Sequence, residues 1–204
     1  VENSIDAWAT NVKIEIHEGW IESIIITDNG SGIDKNDLPL VPEKYTTSKI
    51  KNLEDLYNVM TFWFRGEAIA SISSVSKFEI TSKTWDQNYW YSLQVLDGQI
   101  WQISEKASET WTKIHVESLF YNTPARLNYL KKPRTEYNHI LDTLNNIALS
   151  YTQVWFEFIS DSKQIFKYKP DEDLKTRIYN IYWKEFSENI LDLNCEVYGL
   201  KITG

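Results

Sequence analysis

The chain has a single cysteine, Cys195, so it has no internal disulfide. Thiol usage this sparse fits a reducing, cytoplasmic compartment better than a secreted scaffold. It has no apolar run near the roughly 18 residues that a membrane-spanning helix needs and no stretch patterned as a signal peptide, so no membrane is expected among its partners. Basic charge is in deficit: 21 Lys and Arg against 29 Asp and Glu leave a formal net charge of −8. A chain of that sign does not coat nucleic acid, and any contact with it must come from a local basic patch. Glycine is scarce, at seven, where 204 residues at the usual share carry about 14. Tryptophan, by contrast, occurs nine times.

Hydrophobic residues at 42% and charged residues at 25% describe an ordinary globular composition. They exclude disorder, collagen-like repeats and a coiled coil. The length suits one full domain and at most part of a second. The opening Val-Glu-Asn-Ser-Ile-Asp-Ala reads as the middle of a helix, without a cap, so the chain is expected to be a piece of a longer protein.

Residues 1–8 are predicted helical, and 12–16 and 21–28 as strands, the second apolar enough to be central. Residues 34–51, with Pro39, Pro42 and Tyr45-Thr46-Thr47-Ser48-Lys49, read as a polar loop. Short helices are expected near 53–60 and over 67–75, then strands at 77–84, 88–96, 99–104 and 112–120 forming an antiparallel meander. A helix over 123–131 starts with Pro124 at its first position. The clearest helix carries Tyr137, Ile140, Leu141, Leu144, Ile147, Ala148 and Tyr151 at spacings of three and four. Strands near 154–160 and 164–168 follow. The polar segment Lys167–Lys175, with Pro170, marks a boundary between a domain over 1–170 and a piece over 171–204. That piece, a helix and two short strands, is too small for a core of its own.

Several segments could carry chemistry. Asp28-Asn29-Gly30-Ser31-Gly32-Ile33 ends a buried strand with a fixed acceptor beside a backbone that a flat ligand can approach. Such a carboxylate can accept from the exocyclic amine of adenine, although taken alone these residues read more plainly as an ordinary hairpin turn. Phe64-Arg65-Gly66-Glu67-Ala68 is a glycine-bearing loop opening a helix, where N–H groups favour phosphate; a plain helix start is the plainer reading. Thr47, Ser48 and Lys49 would clamp phosphates or simply meet solvent. Arg126, Lys131, Lys132 and Arg134 form a basic run with no acid between Pro124 and Thr135, either a DNA-backbone patch or a solvated helix end. His17, His115 and His139 are isolated and show no metal-ligand spacing.

In combination and in this order, Asn3-Ser4-Ile5-Asp6, DNGSGI at 28–33, Thr47-Ser48-Lys49-Ile50, FRGEAIASISSVS at 64–76 and LFYNTPAR at 119–126 closely resemble the MutL family of DNA mismatch-repair ATPases. That family lies within the GHKL superfamily, with DNA gyrase B subunits and histidine kinases. The resemblance implies an α+β fold, a Bergerat-type α/β sandwich with a mixed sheet and helices on one face, followed by the start of a ribosomal-S5-like domain. It implies ATP and Mg as cofactors, with Asn3 as the Mg ligand, Asp28 reading adenine, and Gly30 and Gly32 lining base and sugar. Thr47, Ser48 and Lys49 would form a lid, Arg65, Gly66 and Glu67 the phosphate-side loop, and Thr112 would lie behind the adenine. Arg126, Lys131, Lys132 and Arg134 would give weak, salt-sensitive contact with double-stranded DNA. The implied function is an ATPase switch: ATP closes the lid and a homodimer, coupling a MutS-type mismatch sensor to nuclease and strand removal. The rival readings are a nucleotide-free scaffold derived from such an ATPase and another GHKL enzyme, such as a topoisomerase subunit.

The chain also departs from the family pattern. The family's general-base glutamate would precede Val1, and Glu2 is in the wrong register to replace it, while a catalytic lysine would lie past Gly204. These 204 residues alone are therefore expected not to hydrolyse ATP competently. Tyr45-Thr46 stands where the family has histidine before the lid. Trp8, Trp63 and Trp111 stand at family glycines; Trp20, Trp85, Trp90, Trp101 and Trp183 stand where a turn glycine reads naturally, and Trp155 is compatible with one. A codon that some translation systems read as glycine and others as tryptophan would produce this pattern. A degenerate relative whose glycines became indoles is the rival account, and in it an indole at 63 would block phosphate.

Overall fold

A computed structural model describes residues 1–43, 68–108, 111–170, 172–187, 189, 193–197 and 200–203. Strand β1 (Asn11–His17) sets the pattern: Val12, Ile14 and Ile16 are at most 3% exposed, while Lys13 and Glu15 point to the other face. That period of two is the mark of a strand with one buried side. The strands β2 (Ser23–Asp28), β3 (Lys77–Ser82), β4 (Trp90–Leu96), β5 (Gln99–Lys106), β6 (Thr112–Glu117), β7 (Trp155–Ser160) and β8 (Lys163–Tyr168) join it. Together they form one eight-stranded sheet, ordered β5-β4-β3-β6-β2-β1-β7-β8. Among these strands only β1 and β7 pair in parallel, which makes the sheet mixed.

Direct cross-strand partners share a face, so the register draws apolar rows across the sheet. Ile14, Ile26, Ile114, Ile80 and Leu93 form one, and Ile16, Ile24, Val116, Phe78 and Val95 the next. Onto this face pack helices α1 (Glu2–Asp6) and α4 (Pro133–Ser150), whose Ile5, Tyr137, Ile140, Leu144 and Ala148 meet Val12, Ile14, Phe156 and Phe158. Burying each such side chain contributes about 1.5–3 kcal/mol, far more than the marginal stability of an isolated helix of this length. A second cluster, from Leu38 to Leu119, covers the β3–β4 half. The remaining helices are α2 (Ala68–Ser73), α3 (Pro124–Leu127) and α5 (Leu174–Ser187), and a hairpin of β9 (Asn194–Val197) and β10 (Leu200–Thr203) ends the chain.

Four sequence expectations need correction. The meander holds for β3, β4 and β5, but β6 lies between β3 and β2. Its inward Ile114 and Val116 complete the apolar rows of the centre, whereas β5 is almost wholly exposed and suits an edge. The helix expected over 123–131 stops at Leu127, and Lys132 is extended with ψ 146, as a residue before proline prefers. The loop after Ile33 is not uniformly polar and irregular, since Leu38 begins a 3-10 turn and is wholly buried. Trp183 lies inside α5, and Trp90 and Trp155 open strands, so none of the three occupies a turn. The helix expected near 53–60 lies outside the described residues.

Helix α5 is fastened by Arg177, alongside Ile181, which packs against the apolar core. Arg177 is completely buried and donates to the Ala148, Thr152 and Lys169 carbonyls at 2.9, 3.1 and 2.7 Å. It also pairs with Glu172 at 3.1 Å, and its guanidinium lies 4.9 Å from the Tyr168 ring centre. Ala148 is in the last turn of α4, where carbonyls have no partner within the helix. Arg177 therefore caps one helix while anchoring another.

Candidate functional site

Beyond the apolar rows, towards the C-terminal end of β2, the inner face turns polar. The next row is Val12, Asp28, Thr112 and Ser82, directly paired across β1, β2, β6 and β3. Three hydrogen-bonding side chains thus stand side by side on a face that is otherwise aliphatic, and all three are buried. Ser82 Oγ lies 2.9 Å from Thr112 Oγ1 and donates to the Trp111 carbonyl at 2.9 Å. It also accepts the Ile33 N–H at 2.9 Å. This serine therefore joins β3, β6 and the loop after β2.

The loop 29–33 is held at every step. Asn29 Oδ1 accepts the backbone N–H groups of Thr10 and Asn11, at 2.9 and 2.8 Å, while its amide donates to Thr10 Oγ1. Gly30 donates to Asp28 Oδ1 at 2.9 Å, and Ser31 donates to the Ala7 carbonyl at the end of α1. At Gly30 a β-carbon would lie 2.8 Å from that Ala7 oxygen. At Gly32, with φ +75, a β-carbon would lie 1.8 Å from the Lys83 carbonyl. Only glycine fits at Gly32, where both the conformation and the space exclude a side chain.

Asp28 is 6% exposed and accepts from the Ser4 hydroxyl as well as from Gly30. Burial raises its pKa above the ordinary carboxylate value, against the pull of those two hydrogen bonds and of the positive charge on the Val1 amino group. A buried carboxylate in no salt bridge with the described residues is poised to accept from a donor brought by a ligand. Asn3, one residue before Ser4 on α1, is exposed.

The structure thus brings Asp28, Gly30, Gly32 and Thr112 together, with Asn3 on the helix that bonds Asp28. Thr47, Ser48, Lys49, Arg65, Gly66, Glu67 and Trp63 lie outside the described residues. Ser4 and Ser82 were missed by sequence reasoning. Ser82 had a signal, since it continues the inward alternation Phe78, Ile80 with a hydroxyl at the strand's end. Among the described residues no cluster of three His, Cys, Asp or Glu could hold a metal ion. Two clefts of about 430 and 440 Å³ lie away from this row, one on the polar sheet face beside Lys13 and His115, the other beside Arg134 and Asp161.

The basic residues are all exposed. Arg126 lies on α3, and Lys131, Lys132 and Arg134 surround the start of α4. Glu136 accepts the Lys131 N–H at 3.0 Å, so one acid lies just inside the patch. The preceding LFYNTPAR segment is bonded down: Tyr121 and Asn122 donate to Asp97 at 2.5 and 2.8 Å, and Asn122 also to the Ser74 carbonyl. The two bonds to Asp97 hold its pKa below the usual value.

Residues 1–120 match the family described as histidine kinase-, DNA gyrase B- and HSP90-like ATPases, so the chain belongs to that family. Within it the chain is of the MutL kind. It is 39% identical over 204 residues to the DNA mismatch repair protein MutL of Streptococcus sanguinis (strain SK36), covering all of this chain and 32% of that protein. MutL of Streptococcus uberis is 40% identical over 204 residues, with 31% of it covered. The chain spans about a third of the length of these relatives. Its fold matches the structure of the Aquifex aeolicus MutL ATPase domain complexed with ADP at a TM-score of 0.70 and 31% identity, over 89% of this chain and 64% of that one. The α+β mixed-sheet expectation is borne out, and these relatives speak against the topoisomerase reading. Among the described residues no helix is long and apolar enough to cross a membrane.

Proposed function

We propose that the protein is the ATPase head of a mismatch-repair switch, which binds ATP, closes a homodimer on it and hydrolyses it to reopen. The observation that carries this reading is the buried Asp28, in a row with Thr112 and Ser82 and beside a loop whose two glycines pack against the Ala7 and Lys83 carbonyls. Asp28 would accept from the exocyclic amine of adenine, and guanine, with a carbonyl there, would be rejected. Gly30 and Gly32 would lie against base and sugar, and Thr112 would close the pocket floor. Thr47, Ser48 and Lys49 would cover the phosphates, and Arg65, Gly66 and Glu67 would hold them. The exposed carboxamide of Asn3 supplies one neutral oxygen, which suits Mg bound mainly through phosphates and water. When bound, that ion neutralises phosphate charge; the residues of this chain position the nucleotide.

The division into 1–170 and 171–204, with Arg177 as the fastener, belongs to the same reading. So do a MutS-type sensor as partner and double-stranded DNA bound weakly through Arg126, Lys131, Lys132 and Arg134. The test uses the full-length protein with a non-hydrolysable ATP analogue and Mg. Sedimentation should show a monomer-to-dimer shift with the ATP analogue and none with the GTP analogue. A protein that ignores both analogues would be the nucleotide-free scaffold instead.

A further inference from the structure

An indole gains nothing from lying in water and fits badly at positive φ, yet several tryptophans here are in one or both situations. Among the described residues, eight other than glycine have positive φ. Asp97, Ser118, Asp161 and Ser162 are small and polar, of types that adopt the left-handed region at modest cost. Glu18 is there as well, and so is Phe120, whose N–H is held by the Val75 carbonyl at 2.6 Å and whose ring joins a core cluster. The other two are Trp8 at φ 61 and Trp20 at φ 83.

Trp8 directly follows Ala7, the C-cap of α1; its N–H returns to the Ile5 carbonyl, and the Ala9 N–H returns to that of Ser4. A left-handed residue just past a helix end is the position that glycine fills most readily. The Trp8 side chain is 87% exposed, so no burial offsets the strain. Trp20 ends three consecutive residues of positive φ, after Glu18 at 49 and Gly19 at 62. Its indole N–H donates to Glu136 at 3.3 Å and its ring packs against both core clusters, but its backbone makes the same demand as that of Gly19.

Two further positions point the same way. The β4–β5 pairing passes from Gln94 opposite Gln102 to Val95 opposite Ile100, which leaves Trp101 as the extra residue of a bulge, 72% exposed. Trp85 sits in the turn between β3 and β4, 82% exposed. Bulges and turns are glycine sites, whereas tryptophan is among the more buried residues on average. The composition agrees, with glycine at about half its expected number and tryptophan more numerous than glycine. One cause covers all of this: UGA is translated as tryptophan in some systems and as glycine in others.

We propose that Trp8, Trp20, Trp85 and Trp101 are glycine in the protein as its own cells synthesise it. Of the other four described tryptophans, Trp183 is inside α5, Trp90 and Trp155 open strands, Trp111 directly precedes β6, and none has positive φ.

The test is the sequence of peptides from the protein isolated from its native cells, read by tandem mass spectrometry. Cleavage after glutamate releases Asn3–Glu15, which holds Trp8 alone, and trypsin releases Ile14–Lys35, which holds Trp20 alone. Trypsin also releases Thr84–Lys106, in which fragment ions separate Trp85 and Trp101 from Trp90. Glycine is expected at all four positions, and tryptophan at any of them overturns the proposal. A second measurement isolates the effect of the backbone in recombinant full-length protein. Trp8→Gly should raise the melting temperature by about 2–4 °C, while Trp8→Ala, which keeps a β-carbon at positive φ, should not. Equal effects of the two substitutions would contradict a demand for glycine set by φ.

Discussion

A carboxylate buried without a salt bridge works against the fold that holds it. Asp28 is in this position, with burial the strongest influence on its pKa and the Ser4 and Gly30 hydrogen bonds and the Val1 amino charge only partly offsetting it. Its pKa in the folded chain is raised above the ordinary value of 3.8, so the folded state holds its proton more tightly than the unfolded one. The sign follows: stability is fullest below pH 3.8 and is lost as pH rises through the raised value, leaving the whole penalty present at neutral pH. On the proposed function, Asp28 would be kept for a ligand at the expense of stability. Asp28→Asn is expected to melt no lower than the parent at pH 7 without nucleotide, with any gain shrinking as pH falls towards 4. Its affinity for adenine nucleotides should drop by roughly ten- to a hundredfold, the about 1.5–3 kcal/mol of a hydrogen bond to a charged acceptor. Thermal melts from pH 4 to 8 and a fluorescent-nucleotide titration read the two effects separately. If the variant melted well below the parent at pH 7, Asp28 would have a structural role instead.

At the scale of elements, one side chain joins three segments that are distant in sequence. Arg177 meets the end of α4, the turn after it and the end of β8 with five-donor geometry that no other side chain reproduces. Arg177→Ala would leave three carbonyls and the Glu172 carboxylate short of partners, a loss on the order of 3 kcal/mol. Arg177→Lys should recover little of it, because one ammonium cannot span all three carbonyls. Urea unfolding of the full-length protein, with proteolysis across 169–174, measures this; a lysine variant as stable as the parent would refute it. Arg177 also marks the limit of what the sequence reveals. Helix α4 was legible because seven apolar residues repeat at helical spacing, and β1 and β2 because alternation and an aliphatic run are local patterns. An arginine on an amphipathic helix reads as a solvated charge, and its burial depends on carbonyls contributed from elsewhere. The place of β6 was hidden for a similar reason: neighbouring strands pair by default, and only the complete set of inward residues shows that Ile114 and Val116 belong in the centre. In the site, Asp28, Gly30, Gly32 and Thr112 were readable as motif positions, while Ser4 and Ser82 emerge only from register and helix docking.

For the molecule as a whole, the question is how a chain of net charge −8 could hold DNA at all. At low ionic strength the acidic surface repels phosphate over tens of ångströms, and at the salt of a cell that reach shrinks to about 8 Å. Only charges close to the backbone then count. Arg126, Lys131, Lys132 and Arg134 are exposed and adjacent, and three of them surround the start of α4, where the helix dipole adds a further positive contribution. Glu136 subtracts from this, but it is engaged by the Lys131 N–H. On the proposed reading, such a patch would give binding without sequence preference and with a steep salt dependence. Replacing Lys131, Lys132 and Arg134 by alanine in the full-length protein should weaken duplex binding equally for unrelated sequences. It should also flatten the slope of log K against log salt by about 0.9 for each phosphate no longer neutralised, up to about 2.7. Filter binding or fluorescence anisotropy from about 50 to 200 mM salt provides the measurement, and the substituted residues are too exposed to alter folding. An unchanged slope would move the DNA-binding surface elsewhere on the full-length protein, leaving these residues as a solvated helix start.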